Sequence, residues 1–340
     1  MTRLDRAVLI PQGIDPAVPP PGSRVHALHG ASMGTSWSAR VAGPDIDGRQ
    51  VTLRAALQAE LDAIVAQMSH WEDDSLLSRY NRAPAGTWID LPPQFFDVID
   101  YALWAHDASG GAYDPAAGAL VALWGFGPKR RYDQAGFYAP DAAAIARLQA
   151  ARLEAARPTL DRASRRLLQP GGAVLDLSSV AKGYAVDRLA LCLEGRGLRH
   201  YLVEVGGELR GAGLKPDGQP WWVEVESVPD GAGTGQAVVA LHGLSIATSG
   251  DYRQFFNVDQ RRVSHTLDPR TGRPACGVAA VTVLAPTCMA ADALSTVLNV
   301  LGPVDGLAFA ERRALAARFL VRRAGSLEEV VSPAWEALLQ

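Results

Sequence analysis

Tyr201-Leu202-Val203-Glu204-Val205 is followed by Trp221-Trp222-Val223-Glu224-Val225-Glu226 and then by Val238-Val239-Ala240-Leu241. The runs are rich in β-branched and aromatic residues and bounded by glycine and proline, which is the pattern of strands. Pro229-Asp230-Gly231-Ala232-Gly233 separates the last two and reads as a hairpin-type turn. Strands joined by hairpins build antiparallel sheets, whereas strands joined by helices build doubly wound ones.

Working outward, Val174-Leu175-Asp176-Leu177 reads as a short buried strand. It leads into a helix from Val180 to Glu194 that stops at Gly195. Downstream, Val278–Leu284 reads as a strand and Cys288–Leu301 as a helix closed by Gly302-Pro303, with a late strand at Ala317–Val321. Upstream, strand-like alternation begins at Ser36–Val41. A helix from Thr52 to Met68 carries Leu53, Leu57, Leu61 and Ile64 on one stripe. Another helix runs from Gln94 to Ser109 and stops at Gly110-Gly111. Residues 127–140 read as an exposed loop and Asp141–Ala150 as helix. Hairpins outnumber βαβ units, so the expectation is an α+β fold with mixed, largely antiparallel sheets flanked by helices. Residues 1–24, with Pro11, Pro16, Pro19, Pro20 and Pro21, read as a poorly ordered lead-in, and 25–340 as one domain.

The chain has 340 residues, 48% of them hydrophobic, and a net charge of −3, which favours no polyanionic partner. Lys129-Arg130-Arg131 and Arg261-Arg262 are short runs that read as solvated loops, so no nucleic-acid binding is expected. Cys192, Cys276 and Cys288 form neither a disulfide framework nor a CxxC pair. The apolar run Ala7–Ile10 falls short of the roughly 7–15 residues of a secretory h-region. The longest apolar stretch, between Gly277 and Gly302, contains Pro286 and Asp292, so no membrane span is expected. Together these point to a cytoplasmic protein.

Four groups of residues carry chemistry. In Asp176-Leu177-Ser178-Ser179-Val180-Ala181-Lys182-Gly183 a polar turn opens a helix, whose free N–H groups favour anions, and Lys182 adds a full positive charge. The bland alternative is a serine cap and a solvated lysine. In Pro286–Thr296, Asp292 and Thr296 stand four apart on an otherwise apolar helix. A carboxylate there needs a partner, and with a hydroxyl and backbone carbonyls it suits a hard cation such as Mg2+. The alternative is a rim carboxylate beside a back-bonded threonine. Ser264-His265-Thr266-Leu267-Asp268-Pro269-Arg270-Thr271-Gly272 places a histidine before a strong turn, where it is either a general base or structural. Glycine-rich turns at Gly110–Pro115, Gly206-Gly207-Glu208 and Ser249–Tyr252 allow close backbone approach to a ligand. Trp71 could stack on a flat ring or pack in the core.

In this order the motifs resemble the FAD:protein FMN transferase (ApbE) family. The matching stretches are Met33-Gly34-Thr35, Met68–Asn81, Gly110–Pro115 with Leu123–Gly127, Asp176–Asp187, Val205–Glu208, Thr248–Phe256, Ser264–Pro274 and Ala285–Thr296. The resemblance implies an α+β fold and an enzyme that splits the diphosphate of FAD. It releases AMP and leaves FMN as a phosphoester on a threonine or serine of an acceptor flavoprotein, typically within an Asp-x-x-Ser/Thr-Gly-Ala-Ser/Thr element. It further implies Ser179, Asp292 and Thr296 as Mg2+ ligands. FAD contacts would come from Met33, Trp71, Ala112, Tyr113, Asp114, Lys182 and Leu267, and His265 would stand at the reaction centre. The catalytic set is then His265 as base, Asp268 as its orienter or substitute, and Lys182 against the diphosphate. Trp71 stands where the family often has tyrosine. Two other readings stay open: an FAD pyrophosphatase using water as acceptor, and a non-catalytic flavin carrier.

Overall fold

Residues 7–228, 235–259, 261–323 and 326–340 are described by a computed structural model. The stripe Leu53, Leu57, Leu61, Ile64 and Met68 is buried along the helix Gln50–Met68. Strand Val278–Ala285 is buried at all eight positions, as befits an apolar run covered on both faces. These elements assemble an eight-stranded sheet in the order Ser326–Val331, Ala316–Arg323, Val278–Ala285, Leu244–Gly250, Glu208–Ala212, His200–Val205, Thr35–Gly43, Arg24–Ser32. Paired strands whose register is resolved run antiparallel, as the hairpin reading expects. Within it Gly30 faces Trp37, where a Cβ would sit 2.5 Å from the indole nitrogen. Only glycine leaves room for that buried ring.

A smaller sheet joins Trp221–Glu224 to Ala237–Leu241 in antiparallel register, and Ala7–Leu9 adds a parallel edge. The turn read at Pro229–Gly233 lies outside the described residues. Where the sequence suggests a poorly ordered lead-in, Leu9 is fully buried and Asp15 N–H donates to His242 Nε2 at 2.9 Å. The expected strand Val174–Leu177 is reduced to a single bridge between Val174 and Ala117. Its backbone is satisfied elsewhere: Leu175 exchanges two hydrogen bonds with the Asn81 side chain, and Asp176 N–H donates to Pro115 O. The helix expected to close at Gly302 does break there, with Gly302 at φ 77°, but helix resumes at Pro303 and runs to Arg312. It is long and apolar enough to cross a membrane, yet most of its first half is buried in the protein.

Where the sequence reading takes 25–340 as one domain, the chain divides into two compact units. The first comprises Met1–Ala63, Lys182–Ser249 and Gly277–Gln340, and the second Ile64–Ala181 and Gly250–Cys276. The core of the first gathers Leu9, Trp221, Val239, Leu241, Ile246 and Trp335. The second is centred on Leu120, Trp124, Phe126, Ile145, Val263 and Leu267.

Candidate active site

In the first unit, two helices start against each other. Val180 and Ala181 N–H both bond Leu177 O, which turns the chain into the helix Ala181–Glu194. A helix start leaves N–H groups without intrahelical partners. One of them, Gly183 N–H, donates to Asp292 Oδ2 at 2.9 Å. Asp292 lies one turn into the helix that begins at Cys288, whose own first amides are met in return. Cys288 and Met289 N–H donate to Asp187 Oδ1 and Oδ2 at 3.0 and 2.9 Å. Each helix thus receives a carboxylate from the other at its positive end, where charge and dipole agree. The approach is possible because residue 183 is glycine: a Cβ there would lie 2.3 Å from Cys288 O and 2.7 Å from Asp292 Cβ.

Asp292 is 4% exposed, so it is no rim carboxylate. Asp187 is also held by Arg210 Nη1 at 2.7 Å. Burial, reinforced by Asp187, Glu208 and Asp292, pushes the Cys288 thiol well above its ordinary range, which leaves it protonated and inert. Thr296 does not follow the expected back-bonding alternative. Ser295 Oγ bonds back to Asp292 O at 2.8 Å, while Thr296 Oγ1 reaches Ser249 Oγ at 3.0 Å, which also touches Ser295 Oγ. Lys182, in the first helical turn, is not merely solvated: its Nζ lies 2.5 Å from Oε1 of the buried Glu208. Glu208 follows Gly206-Gly207, both at positive φ, so the glycines tighten the turn that delivers it. Met33, the expected FAD contact in this unit, sits at a two-residue hairpin tip with φ 53°, a left-handed conformation costly for a non-glycine residue.

In the second unit, Ser178 N–H is capped by Asp176 Oδ1 at 2.8 Å, and Ser179 follows in the same turn, three residues before Lys182. His70 Nδ1 lies 3.6 Å from Asp176 Oδ1. Trp71 is 50% exposed, which removes the core-packing alternative, and the Arg131 guanidinium lies 5.4 Å over its ring. Ala112 and Tyr113 are buried, so what their loop offers a ligand is main chain. The loop is held by Ser109 Oγ, which accepts Tyr113 N–H, and by a contact of 2.9 Å between His106 Nδ1 and Tyr113 O. Asp114 is gripped by Arg152 at 2.5 Å, and Arg152 also donates to Pro269 O.

His265 follows the hairpin Phe255–Val258/Arg261–Ser264 and is half-buried. Its Nδ1 lies 3.1 Å from Gln254 O, which also accepts its backbone N–H. A carbonyl only accepts, so Nδ1 is the donor in that bond. Asp268, expected as orienter, turns to its own loop: its carboxylate takes Arg270 Nε and Nη2 at 2.9 and 3.0 Å, and its carbonyl takes Gly272 N–H. The orienting acceptor is the Gln254 carbonyl. Leu267 is buried beside Asp268, in a two-residue strand paired with Arg273–Pro274.

The residues expected to hold Mg2+ are all oxygen donors: in the first unit a buried carboxylate at Asp292 and a hydroxyl at Thr296, and in the second a carbonyl at Ser179. That chemistry fits a hard cation that completes its shell with water and phosphate. Among the described residues no group of three or more His, Cys, Asp or Glu side chains is placed to hold a metal ion. The sequence reading gave no role to Asp187, Arg152 or the Gln254 carbonyl, and it took Glu208 and Ser249 only as parts of glycine-rich turns. Asp187 had a legible signal, because it stands one turn from Gly183 as Asp292 stands one turn from Cys288.

The sequence profile of the ApbE family matches residues 33–319. The chain belongs to this family. It is 36% identical over 338 residues to an FAD:protein FMN transferase of Klebsiella pneumoniae, covering 98% of this chain and 95% of that one. It is 34% identical over 320 residues to one of Escherichia coli, covering 93% and 90%. Among solved structures, the apo flavinyl transferase ApbE of Pseudomonas stutzeri superimposes with a TM-score of 0.82 at 35% identity, over 93% of this chain and 97% of that one. The flavin transferase ApbE of Vibrio cholerae gives 0.82 at 32% identity, over 93% and 100%.

Proposed function

We propose that this ApbE-family chain is an FAD:protein FMN transferase: it cleaves FAD, releases AMP and leaves FMN on a hydroxyl of an acceptor protein. The relatives named above carry that activity in their names. The structural support is the meeting of two helix starts, with Asp292 Oδ2 2.9 Å from Gly183 N–H, which joins a cation-type carboxylate to an anion-type turn.

The acceptor hydroxyl gives its proton to Nε2 of His265, the nitrogen other than the one bonded to Gln254 O. Its oxygen bonds the phosphorus on the FMN side, the anhydride P–O bond breaks, and AMP leaves with the electron pair. Negative charge grows on the leaving phosphate. Lys182 supplies a fixed positive charge to that region, with its ammonium steadied by Glu208. Mg2+ would offset the same charge as a Lewis acid, and Asp292, Thr296 and the Ser179 carbonyl would be the residues to hold it. Trp71, half-exposed, offers a face to the isoalloxazine ring.

The test is the intact mass of an acceptor protein after incubation with FAD and Mg2+, with and without a chelator. A gain equal to FMN minus water, abolished by the chelator and by Asp292→Ala, is expected. Free FMN and AMP with an unchanged acceptor would mean that water is the acceptor instead.

A further inference from the structure

The hydroxyl that His265 deprotonates belongs to a second protein, so that protein must cover the surface around His265. Two segments of the second unit form that surface, and aromatic rings hold them together. His265 lies edge-on to Phe126, 6.2 Å between centroids. Phe126 packs on Tyr132 and Phe256 at 5.2 and 5.6 Å, and Tyr132 stacks on Phe256 at 5.5 Å. Phe137 meets Phe256 edge-on at 5.4 Å. The 127–140 loop is thereby fastened to the hairpin that ends at His265.

These segments differ in charge from the rest of the molecule. Residues 127–140 and 250–276 hold eight lysines and arginines against four aspartates, in a chain whose overall balance is −3. Local carboxylates take three of the cations: Arg131 pairs with Asp133, Arg262 with Asp251 and Arg270 with Asp268. Lys129, Arg130 and Arg261 stand exposed on the loop and the hairpin, and Arg130 holds the left-handed φ of 53° at its turn. Potential of one sign around a reaction centre steers a partner of the other sign.

We propose that the 127–140 loop and the Phe255–Ser264 hairpin form the docking surface for the acceptor protein, and that this surface selects acceptors whose hydroxyl lies beside acidic residues. The proposal rests on the transferase reading, and a binding measurement separates the two. Labelled peptides carrying an Asp-x-x-Thr-Gly-Ala-Thr element, flanked by glutamates or by lysines, are titrated by anisotropy against the FAD-loaded protein in chelator. Mass analysis after adding Mg2+ then reads transfer.

The glutamate-flanked peptide should bind about tenfold or more tightly than the lysine-flanked one, with the gap closing as salt shortens the screening length below roughly 5 Å. The triple variant K129E/R130E/R261E should erase or invert that preference while FAD affinity, read by flavin fluorescence, stays within about twofold. Preferential binding without mass gain would count against the transferase reading and leave the docking surface standing. Equal binding of both peptides would overturn the proposal. So would a fall in FAD affinity matching the loss of peptide binding, or retention of anionic vesicles in place of the acidic peptide.

Discussion

Gly183→Ala tests the contact on which the site depends, because two effects of known size pull in opposite directions. Helix propensity favours alanine over glycine in a helix by about 1 kcal/mol. Against this, the new Cβ would lie 2.3 Å from Cys288 O, where real contacts begin near 3.0 Å or beyond. The obstacle is backbone of the neighbouring helix, so the two helix starts must separate by close to 1 Å. Overpacking of that kind costs about 1–3 kcal/mol. The same displacement lengthens the bond of 2.9 Å from Gly183 N–H to Asp292 beyond hydrogen-bonding range. Losing a bond to a buried carboxylate costs about 1.5–3 kcal/mol more. The net expectation is a loss of about 1.5–5 kcal/mol, read as a lower urea midpoint with an unchanged slope. Calorimetry on the folded variant should show weakened Mg2+ binding. In an Asp292→Ala background the substitution should cost less, because the bond is already gone. A G183A protein as stable as the parent, or more stable, would falsify the account of how these helices meet.

Three further outcomes are expected. His265→Ala should lower transfer by about 10²–10⁴-fold with FAD binding retained, as removal of a general base does. Asp187→Ala leaves Arg210 with the longer contact to Glu194 at 3.8 Å, takes the carboxylate from two helix amides and should cost about 3–5 kcal/mol by urea unfolding, part of which Arg210→Met in the same chain should restore. Of the three thiols, exposed Cys276 should react with a thiol reagent at once, and buried Cys192 and Cys288 only on unfolding. Because burial and neighbouring carboxylates raise the Cys288 pKa above its ordinary 9.0, the unfolded chain loses that proton first. Stability is then full below that pH and falls as pH rises past it, with a slope that Cys288→Ala should flatten.

Elements whose apolar spacing is regular were legible from sequence, as with Leu53, Leu57, Leu61 and Ile64, or the wholly buried run Val278–Ala285. Val174–Leu177 misled because its composition is that of a strand, while its hydrogen bonds go to the Asn81 side chain and Pro115. Nothing local announces a partner almost a hundred residues away. The same reason hid Glu208 behind Lys182 and Arg152 behind Asp114. Asp268 was read as orienter of His265 or its substitute because it is a carboxylate nearby in sequence; its carboxylate is held by Arg270, and the acceptor at His265 Nδ1 is a backbone carbonyl, Gln254 O, which leaves no trace in residue type. Asp292 and Thr296 drew attention because a charge and a hydroxyl one turn apart interrupt an apolar helix, and the burial of Asp292 against Gly183 N–H is what the structure adds.

The two helix starts that cap one another also limit how the protein can be recombined. A chimera that imports only the segment around Cys288 from a distant homologue brings a foreign terminus to Asp187 and withdraws a carboxylate from Gly183. Transplants should fold when both segments travel as a pair, and grafts of either one alone should carry a defect even where every apolar position is preserved.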